Sequence, residues 1–205
     1  MKQIFWDVDT QVDFLDSQGK LYVPGSEAIL PNLARLTRWA ADHGVLVVAS
    51  ACAHHPDDAE FREWPPHCLV GTEGQRKVPE TVLERALVVP NRAVEIPADL
   101  GAYQQVLIEK QELNVFTNPN TARLVEQLGR PEIVLYGVVT ELCVAQAAGE
   151  LQRRGCQVRL VQDAVYALDS AKAQACVKEL VARGGSLTTT AEVLGRETSP
   201  GSDGA

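Results

Sequence analysis

The sequence predicts a three-layer α/β protein in which helices cover both faces of a parallel sheet of about six strands. Short apolar, β-branched runs alternate along the chain with segments of helical periodicity. This alternation is typical of parallel sheets whose strands are connected by helical crossovers. Several runs are apolar at every position rather than at alternate positions, as expected for strands that are buried on both faces.

The first part of the chain contributes two strands and one long helix. Residues 3–8 form an apolar strand that ends at Asp9, and residues 45–49 form a second strand. Between them, residues 27–43 carry apolar side chains at helical spacing, and Gly44 ends this predicted helix. The apolar positions are Ile29, Leu33, Leu36 and Ala40.

A long irregular section over residues 52–79 follows the second strand. It carries three of the four histidines together with Trp64 and several carboxylates. An irregular segment of this length inside a compact domain is usually functional or mobile. Residues 82–89 fit either a short helix or a strand, and the sequence does not decide between them.

The remainder of the chain returns to alternating strands and helices. Strands are expected at residues 106–109, 132–136 and 157–161, and a short sixth strand at 186–189. Helices are expected at residues 118–128, 144–154 and 170–183, with a final helical turn from Thr190. We expect one domain over residues 1–194 and a disordered, Gly/Ser-rich tail over residues 195–205.

Composition and charge exclude several classes of function. The chain has 205 residues, 45% of them hydrophobic, and a formal net charge of −8. Nucleic-acid binding requires a basic surface, so the acidic balance argues against that class of partner. The longest apolar runs are far shorter than a membrane span, and acidic residues occur too early for a signal peptide. We therefore expect a cytoplasmic protein without a membrane partner.

The five cysteines are odd in number and form no CxxC pair, which indicates reduced thiols rather than disulfides or a thiolate zinc site. Cys143 follows a buried strand and a glycine-containing turn, at the start of a predicted helix. The helix dipole and free backbone N–H groups favour a thiolate at this position. The alternative for a lone cysteine is a small buried core residue.

Two other polar residues fall on the same predicted edge of the sheet as Cys143. Asp9 follows the first strand and Lys110 ends the third, and ligands of such sheets bind outside the carboxyl ends of the strands. Separately, Asp9 fits a turn cap and Lys110 a solvated strand end. Together the three residues favour a nucleophilic cysteine.

The three residue types suit attack on a carbonyl carbon. A carboxylate at Asp9 accepts the thiol proton and returns it to a leaving amine. A cation at Lys110 keeps the Cys143 thiolate populated. The turn before the helix supplies the backbone N–H groups of Val139 and Cys143 for a developing oxyanion.

Three motifs resemble those of the isochorismatase-like cysteine hydrolases. Residues 9–14 (DTQVDF) are similar to that family's DxQxDF opening. Residues 137–144 (GVVTELCV) are similar to its GVxTDxCV nucleophile turn, with Glu141 in place of the aspartate. Residues 64–68 (WPPHC) and 71–74 (GTEG) resemble a segment of the nicotinamidase branch. The resemblance extends over about residues 3–190 and carries the family's parallel three-layer fold.

The resemblance implies a catalytic triad of Asp9, Lys110 and Cys143 that hydrolyses a carbon–nitrogen bond through a thioester-like acyl enzyme. It also implies a cis peptide bond between Val138 and Val139. No organic cofactor is implied. Members of the family often associate, so a homo-oligomer is one expectation, although the sequence identifies no interface.

The nicotinamidase branch further implies an aromatic substrate pocket and a divalent metal ion. Phe14 and Trp64 match the aromatic positions and suit stacking on a flat heteroaromatic ring. The branch binds its metal through a DxHP motif and a further histidine. His55 and His67 fit that pattern, whereas alanines at 53 and 59 stand at the expected aspartate and third histidine.

Two interpretations of the altered metal motif remain open. In the first, nearby groups compensate and the site binds zinc or manganese, because imidazoles and carboxylates together suit these ions. The compensating candidates are His54, Asp57, Asp58 and Glu60. In the second, the two histidines only make hydrogen bonds within the loop.

The sequence therefore predicts a nicotinamidase-related cysteine amidohydrolase that acts on a small planar amide. A first alternative is a metal-free member of the same family that acts on a carbamoyl, ureido or vinyl-ether substrate. A second alternative is a non-catalytic binding protein on the same fold. The retention of Asp9, Lys110 and Cys143 together argues against the second alternative.

Overall fold

In the computed structural model, which describes residues 3–195, one parallel sheet of seven strands runs through the protein. The predicted fold class is confirmed. The strands are β1 (Gln3–Val8), β2 (Val47–Cys52), β3 (Ala86–Val89), β4 (Gln105–Lys110), β5 (Glu132–Val138), β6 (Gln157–Tyr166) and β7 (Ser186–Thr188). The strand beyond the six expected is β3, which arises from the segment that fitted either a helix or a strand.

The strand order is β3-β4-β2-β1-β5-β6-β7, and every neighbouring pair is parallel. Strands β2, β4 and β3 lie in that order on one side of β1, and strands β5, β6 and β7 lie in that order on the other side. The order therefore reverses between β1 and β5. In sheets of this kind, the crevice outside the carboxyl ends at the reversal is the usual ligand site.

Helices cover the two faces of the sheet and enclose two hydrophobic cores. They are α1 (Val12–Leu15), α2 (Leu30–Asp42), α3 (Thr121–Gln127), α4 (Ala145–Arg153), α5 (Ser170–Ala182) and α6 (Thr190–Gly195). One core contains Ile4 and Trp6 of β1 with residues of α3, α4 and α5. The other contains Phe5 of β1 with residues of α2 and α6. Alternate side chains of β1 therefore fill opposite cores, as the pleat of a strand requires.

Two helices, α2 and α3, begin later than the sequence predicts. Residues Ser26–Ile29 form a 3₁₀ turn before α2, and residues Val115–Thr117 form another before α3. The Asn118 side chain accepts from the Asn120 N–H just before α3 and donates to the carbonyl oxygens of Pro90 and Glu109. Apolar spacing alone does not separate a 3₁₀ turn from the first turn of an α-helix.

The predicted tail over residues 195–205 lies outside the described residues, except for Gly195 at the end of α6. None of the helices within residues 3–195 combines the length and the apolar character needed to cross a bilayer.

Gly137 in β5 is required by the close approach of β1. Its φ angle is +117°, and a Cβ atom at this position would overlap the carbonyl oxygen of Val8. We expect Gly137→Ala to lower the free energy of unfolding by more than about 1 kcal/mol, because backbone conformation and space both oppose a side chain. Urea denaturation followed by circular dichroism measures the change.

Gly129→Ala is the matched control for this substitution. Gly129 also has a positive φ, of 77°, but nothing lies within 4 Å of a Cβ atom built there. Gly129→Ala is therefore destabilised only by the positive φ angle, which alanine adopts less readily than glycine. Equal stability losses in the two variants would contradict the role of Gly137 as the contact point between β1 and β5.

Candidate active site

Asp9 is held in place at the carboxyl end of β1 by the neighbouring strand. Its φ angle is +50°, in the left-handed region, so the chain turns sharply at the strand end. The backbone N–H of Asp9 donates to the Ser50 carbonyl at 3.1 Å, and the Ser50 hydroxyl donates to Asp9 Oδ1 at 2.6 Å. One carboxylate oxygen is thus fixed by β2, and the other faces Lys110.

Lys110 is a fully buried ammonium group at the centre of the site. Its Nζ lies 3.0 Å from Asp9 Oδ2, 3.2 Å from Cys52 Sγ, 3.0 Å from the Glu112 carbonyl oxygen and 3.6 Å from Cys143 Sγ. An ammonium group donates only three hydrogen bonds. Lys110 donates to Cys52 Sγ, to the Glu112 carbonyl oxygen and to Cys143 Sγ, and its contact with Asp9 Oδ2 is an ion pair. The ion pair with Asp9 compensates for the burial of the charge.

Cys143 lies in the turn that connects β5 to α4, and only 8% of its surface is exposed. Burial raises the pKa of the Cys143 thiol, the Lys110 charge opposes this rise, and the charge of Asp9 and its hydrogen bond to the thiol add to it. The net effect is a pKa of the Cys143 thiol well above its ordinary value. In this structure burial therefore outweighs the effect of Lys110 and opposes the thiolate that the sequence favours. A proton acceptor beside the thiol is then needed for attack.

The turn that carries the nucleophile has two further features. The peptide bond between Val138 and Val139 is cis, in agreement with the expectation from the resemblance. The N–H groups of Leu142 and Val144 donate to the Val139 carbonyl oxygen, both at 3.1 Å. This carbonyl group therefore caps the helical turn, and Val139 and Cys143 both line the adjoining pocket.

Glu141, which replaces the aspartate of the motif, ties this turn to the rim of the pocket. Its Oε1 accepts hydrogen bonds from the backbone N–H groups of Leu168 at 3.0 Å and Asp169 at 2.6 Å. Leu168 lines the pocket although it is exposed to solvent. The longer side chain of glutamate thus acts as a structural link between the nucleophile turn and the segment before α5.

Gln11 and Asp13 of the first motif organise the loops around the site. The Gln11 amide accepts from the Cys52 N–H at 2.7 Å and donates to the Cys52 carbonyl at 2.8 Å, so it extends the edge of β2. Asp13 is buried and accepts from the backbone N–H groups of Cys68 at 2.6 Å and Lys20 at 2.9 Å. These two side chains hold the irregular section of residues 52–79 against the sheet.

A pocket with a volume of about 140 Å³ opens beside Asp9 and Cys143. Phe14 and Trp64, the predicted substrate-binding residues, both line it. The remaining lining is mostly apolar and includes Leu21, Val23, Leu113, Val138, Val139, Leu142 and Leu168. The polar lining residues are Asp9, Tyr22, Cys52, Glu60, His67 and Cys143.

A cluster of potential metal ligands lies at one end of this pocket. The side chains of Cys52, His54 and His67 are buried, and one ligand atom from each lies within 4.8 Å of the others. The Oε1 atom of Glu60 is 3.8 Å from His54 Nε2 and 3.7 Å from His67 Nε2. Imidazole nitrogens beside a carboxylate form a donor set that suits zinc and manganese.

The structure brings His67 into this cluster but not His55, which is exposed; the neighbouring His54 lies in the cluster instead. His54 forms a bridge with Leu69 in continuation of β2. Alternate side chains point to opposite sides of such a segment, so Cys52 and His54 share one side while His55 lies on the other and is exposed.

Cys52 is thus the residue of the cluster that the sequence analysis missed, whereas His54 and Glu60 were among its candidates for compensating ligands. The predicted second strand ended at residue 49, whereas β2 continues to Cys52. If the strand is taken to end at Cys52, the alternation of side chains places His54 on the same side as Cys52. This pattern would have indicated that His54 is the buried histidine.

A family model described as the isochorismatase domain matches residues 7–192 of this chain. The chain belongs to the isochorismatase family. The predicted family is confirmed, and its nicotinamidase-like character is supported by the relatives and structural neighbours described next.

Two characterised relatives of this isochorismatase-family protein are amide hydrolases by name. The chain is 26% identical over 179 residues to a nicotinamidase/pyrazinamidase of Mycobacterium tuberculosis, a match that covers 84% of this chain and 91% of the relative. It is 26% identical over 158 residues to a maleamate amidohydrolase of Pseudomonas putida, covering 77% of this chain and 69% of the relative. These relatives support the predicted class of enzyme, a hydrolase of amide carbon–nitrogen bonds.

The solved structures include a pyrazinamidase of Pyrococcus horikoshii in complex with zinc. It is 26% identical to this chain, with a TM-score of 0.75, and the match covers 92% of this chain and 99% of that protein. A nicotinamidase of Bacillus subtilis is 21% identical with a TM-score of 0.76, which shows the shared fold. The three-layer architecture of the family is therefore present over most of this chain.

Proposed function

We propose that this isochorismatase-family protein hydrolyses the carboxamide of a small, uncharged, single-ring aromatic substrate to a carboxylate and ammonia, with Cys143 as the nucleophile. The observation that carries the proposal is the convergence of Asp9, Lys110 and Cys143 at one end of an apolar pocket. The names of the relatives from M. tuberculosis and P. horikoshii agree with such a substrate.

The size of the pocket supports a single ring. Its volume is about 140 Å³, and an apolar protein cavity of roughly 150 Å³ accommodates benzene. Phe14 and Trp64 offer aromatic faces against which a flat ring packs well. The ring is thereby oriented so that its carboxamide faces Cys143.

The charge of the pocket favours an uncharged substrate over an anionic one. Among the described residues that line it there is no arginine or lysine, while Asp9 and Glu60 contribute carboxyl groups. A substrate that also carried a carboxylate group would lose the hydration of that charge in the pocket without gaining a cationic partner, which is costly. Anionic carbamoyl, ureido and vinyl-ether substrates are therefore disfavoured relative to a neutral aromatic amide.

The proposed reaction begins with transfer of the Cys143 thiol proton to Asp9 as the sulfur attacks the amide carbon. Lys110, beside both groups, stabilises the thiolate as its negative charge develops. Backbone N–H groups of Val139 and Cys143 serve as donors to the oxyanion. Asp9 then gives the proton to the amide nitrogen, the carbon–nitrogen bond breaks, and ammonia leaves.

The acyl enzyme is resolved by water. Asp9, again a carboxylate, accepts a proton from the water molecule as its oxygen attacks the thioester carbon. The carbon–sulfur bond breaks, Asp9 returns its proton to the Cys143 sulfur, and the carboxylic acid product leaves and gives its remaining proton to solvent. Each half of the cycle therefore uses the same carboxylate, first as base and then as acid.

The donor set at the end of the pocket fits a divalent metal ion. The Nε2 atom of His54 is buried without a hydrogen-bond partner within the described residues, although it faces the Glu60 carboxylate. Burial lowers the pKa of both His54 and His67, so the imidazoles are neutral and have lone pairs to offer. A bound ion would supply a Lewis acid that orients a ring heteroatom of the substrate.

Ammonia release from nicotinamide tests the proposal. We expect the wild-type protein to release ammonia and Cys143→Ala to release none above the uncatalysed background, because no acyl enzyme can form. Cys176→Ala is the matched control, since it removes a cysteine that does not line this pocket, and it should retain the wild-type rate. Activity that survives in Cys143→Ala would refute the mechanism, and activity confined to anionic amides would refute the substrate.

A further inference from the structure

The two histidines of the ligand cluster are pre-oriented for coordination through the same type of nitrogen. The Nδ1 atom of His54 lies 3.0 Å from Asp58 Oδ2, and the Nδ1 atom of His67 lies 2.8 Å from the Pro65 carbonyl oxygen. Both acceptors require a proton on Nδ1, which leaves the Nε2 lone pairs free. Metal-binding histidines are commonly fixed by such partners.

The spacing of the nitrogen and oxygen donors matches a small metal site. In tetrahedral zinc sites, nitrogen and oxygen ligands at roughly 2.0–2.2 Å from the metal lie about 3.3–3.6 Å from one another. The Glu60 oxygen lies 3.7 and 3.8 Å from the two Nε2 atoms. Coordination therefore requires only a small contraction of the loop that carries Glu60, the 3₁₀ turn Ala59–Arg62.

Cys52 adds a sulfur atom to this group. It ends β2, and the Gln11 amide fixes its backbone from both sides. Its Sγ belongs to the same cluster as the histidine nitrogens and accepts a hydrogen bond from Lys110. Burial raises the pKa of the Cys52 thiol to about 12, and the charge of Lys110 opposes this rise. A bound metal ion deprotonates a coordinating thiol outright. Lys110 therefore stands between the metal-binding cluster and the nucleophile.

We propose that the metal site of this chain is a four-ligand site of Cys52 Sγ, His54 Nε2, His67 Nε2 and the Glu60 carboxylate, and that it prefers zinc to manganese. Soft thiolate ligands favour zinc, whereas carboxylate and water ligands suit manganese. On binding, the Cys52 sulfur–proton bond is replaced by a sulfur–metal bond, and the proton is released to solvent. The inference builds on the metal in the proposed function but requires no turnover.

Cobalt(II) serves as the spectroscopic probe, because a thiolate ligand gives a charge-transfer band in the near ultraviolet. The experiment uses full-length, metal-stripped protein that carries Cys143→Ala, so that the nucleophile cannot contribute sulfur. We expect one cobalt ion per chain with the charge-transfer band, and displacement of cobalt by zinc. The further substitution Cys52→Ser should abolish the band, while Cys176→Ser should leave it unchanged.

A second variant separates loss of the ligand from loss of the fold. Cys52→Asp replaces sulfur with oxygen donors, and we expect it to bind cobalt without the band and to show a lower zinc-to-manganese affinity ratio by calorimetry. Circular dichroism checks the fold of each variant. Three results would overturn the inference: no cobalt binding, stoichiometric binding without the band, or a band that persists in Cys52→Ser.

These outcomes are distinct from failure of the proposed function. A protein that hydrolyses nicotinamide but binds cobalt without sulfur ligation would retain the function and lose the inference. A protein that shows the charge-transfer band but hydrolyses no amide would retain the inference about the metal ligands and lose the proposed function.

Discussion

Asp9→Asn is expected to lower kcat for amide hydrolysis by about two to four orders of magnitude, the usual contribution of a positioned acid–base group, and at the same time to speed alkylation of Cys143. The two effects have one cause. The Asp9 carboxylate raises the pKa of the Cys143 thiol through its charge and its hydrogen bond. Its replacement by a neutral amide lowers that pKa and leaves the Lys110 cation free to pair with the thiolate.

The measurement compares ammonia release with iodoacetamide labelling of Cys143 over a range of pH, followed by peptide mass spectrometry. In the wild type, the labelling rate should be low at neutral pH and should rise with pH, because the thiol pKa lies above its ordinary value. In Asp9→Asn, this rise should occur at lower pH. Labelling and turnover should therefore change in opposite directions.

Asp57→Asn provides the control for this experiment. Asp57 is an exposed carboxylate on the loop that follows β2, and its substitution should change neither rate. If Asp9→Asn slowed alkylation and turnover in parallel, the variant would have damaged the site as a whole. Asp9 would then have no specific role as the proton acceptor of Cys143.

Lys77→Met is expected to lower the free energy of unfolding by about 3–5 kcal/mol at neutral pH, the usual cost of removing one partner of a buried ion pair. Lys77 Nζ lies 2.7 Å from Asp7 Oδ2 and donates to Thr10 Oγ1 at 2.6 Å. Asp7 is completely buried in β1. The substitution leaves the Asp7 carboxylate without a counter-charge inside β1, the strand that leads to Asp9.

The loss of stability in Lys77→Met should shrink as the pH falls. Burial raises the pKa of Asp7, and Lys77 opposes that rise, so the variant has a still higher folded-state pKa. In the unfolded chain, the carboxyl group titrates near its ordinary pKa of about 3.9. Between these two values the folded state binds more protons, and the stability of the variant decreases as pH increases. Below pH 4 both states are protonated and the penalty is smallest.

Urea denaturation of Lys77→Met and Arg76→Met at several pH values tests this prediction. Arg76 is the neighbouring cation, but its ion pair with Glu73 is exposed, with about 70% of both side chains accessible. Surface pairs of this kind contribute less than about 1 kcal/mol. Similar losses for the two variants, or a loss in Lys77→Met that does not depend on pH, would contradict the buried-charge explanation.

The fold could be predicted because its signals are local. Apolar runs and helical periods marked six of the seven strands and the main helices, and the parallel arrangement then placed Asp9, Lys110 and Cys143 at one edge. The edge strand Ala86–Val89 was ambiguous because it is short and partly exposed, so its burial pattern does not alternate clearly. The 3₁₀ turns before α2 and α3 were missed because their apolar spacing also fits the first turn of an α-helix.

The metal-binding cluster could be predicted only in part, because it depends on the orientation of side chains within one short segment. His55 was chosen because it precedes Pro56, as the histidine of the DxHP motif does, whereas the side chain in the cluster is that of His54. The predicted end of the second strand was three residues too early, which concealed Cys52. The protonation of Cys143 was also beyond the sequence. The opposing effects of burial and Lys110 can be compared only when the depth of the thiol and its distance from the cation are known.

The arrangement of Asp9, Lys110 and Cys143 has a consequence for electroneutrality. In the resting site, the charges are −1 on Asp9, +1 on Lys110 and zero on the thiol, so the buried group is neutral. Transfer of the proton from sulfur to carboxylate moves the negative charge from one neighbour of the ammonium group to another. The sum remains zero. The nucleophile is thus created without introducing net charge into the apolar pocket, where unbalanced charge is most costly.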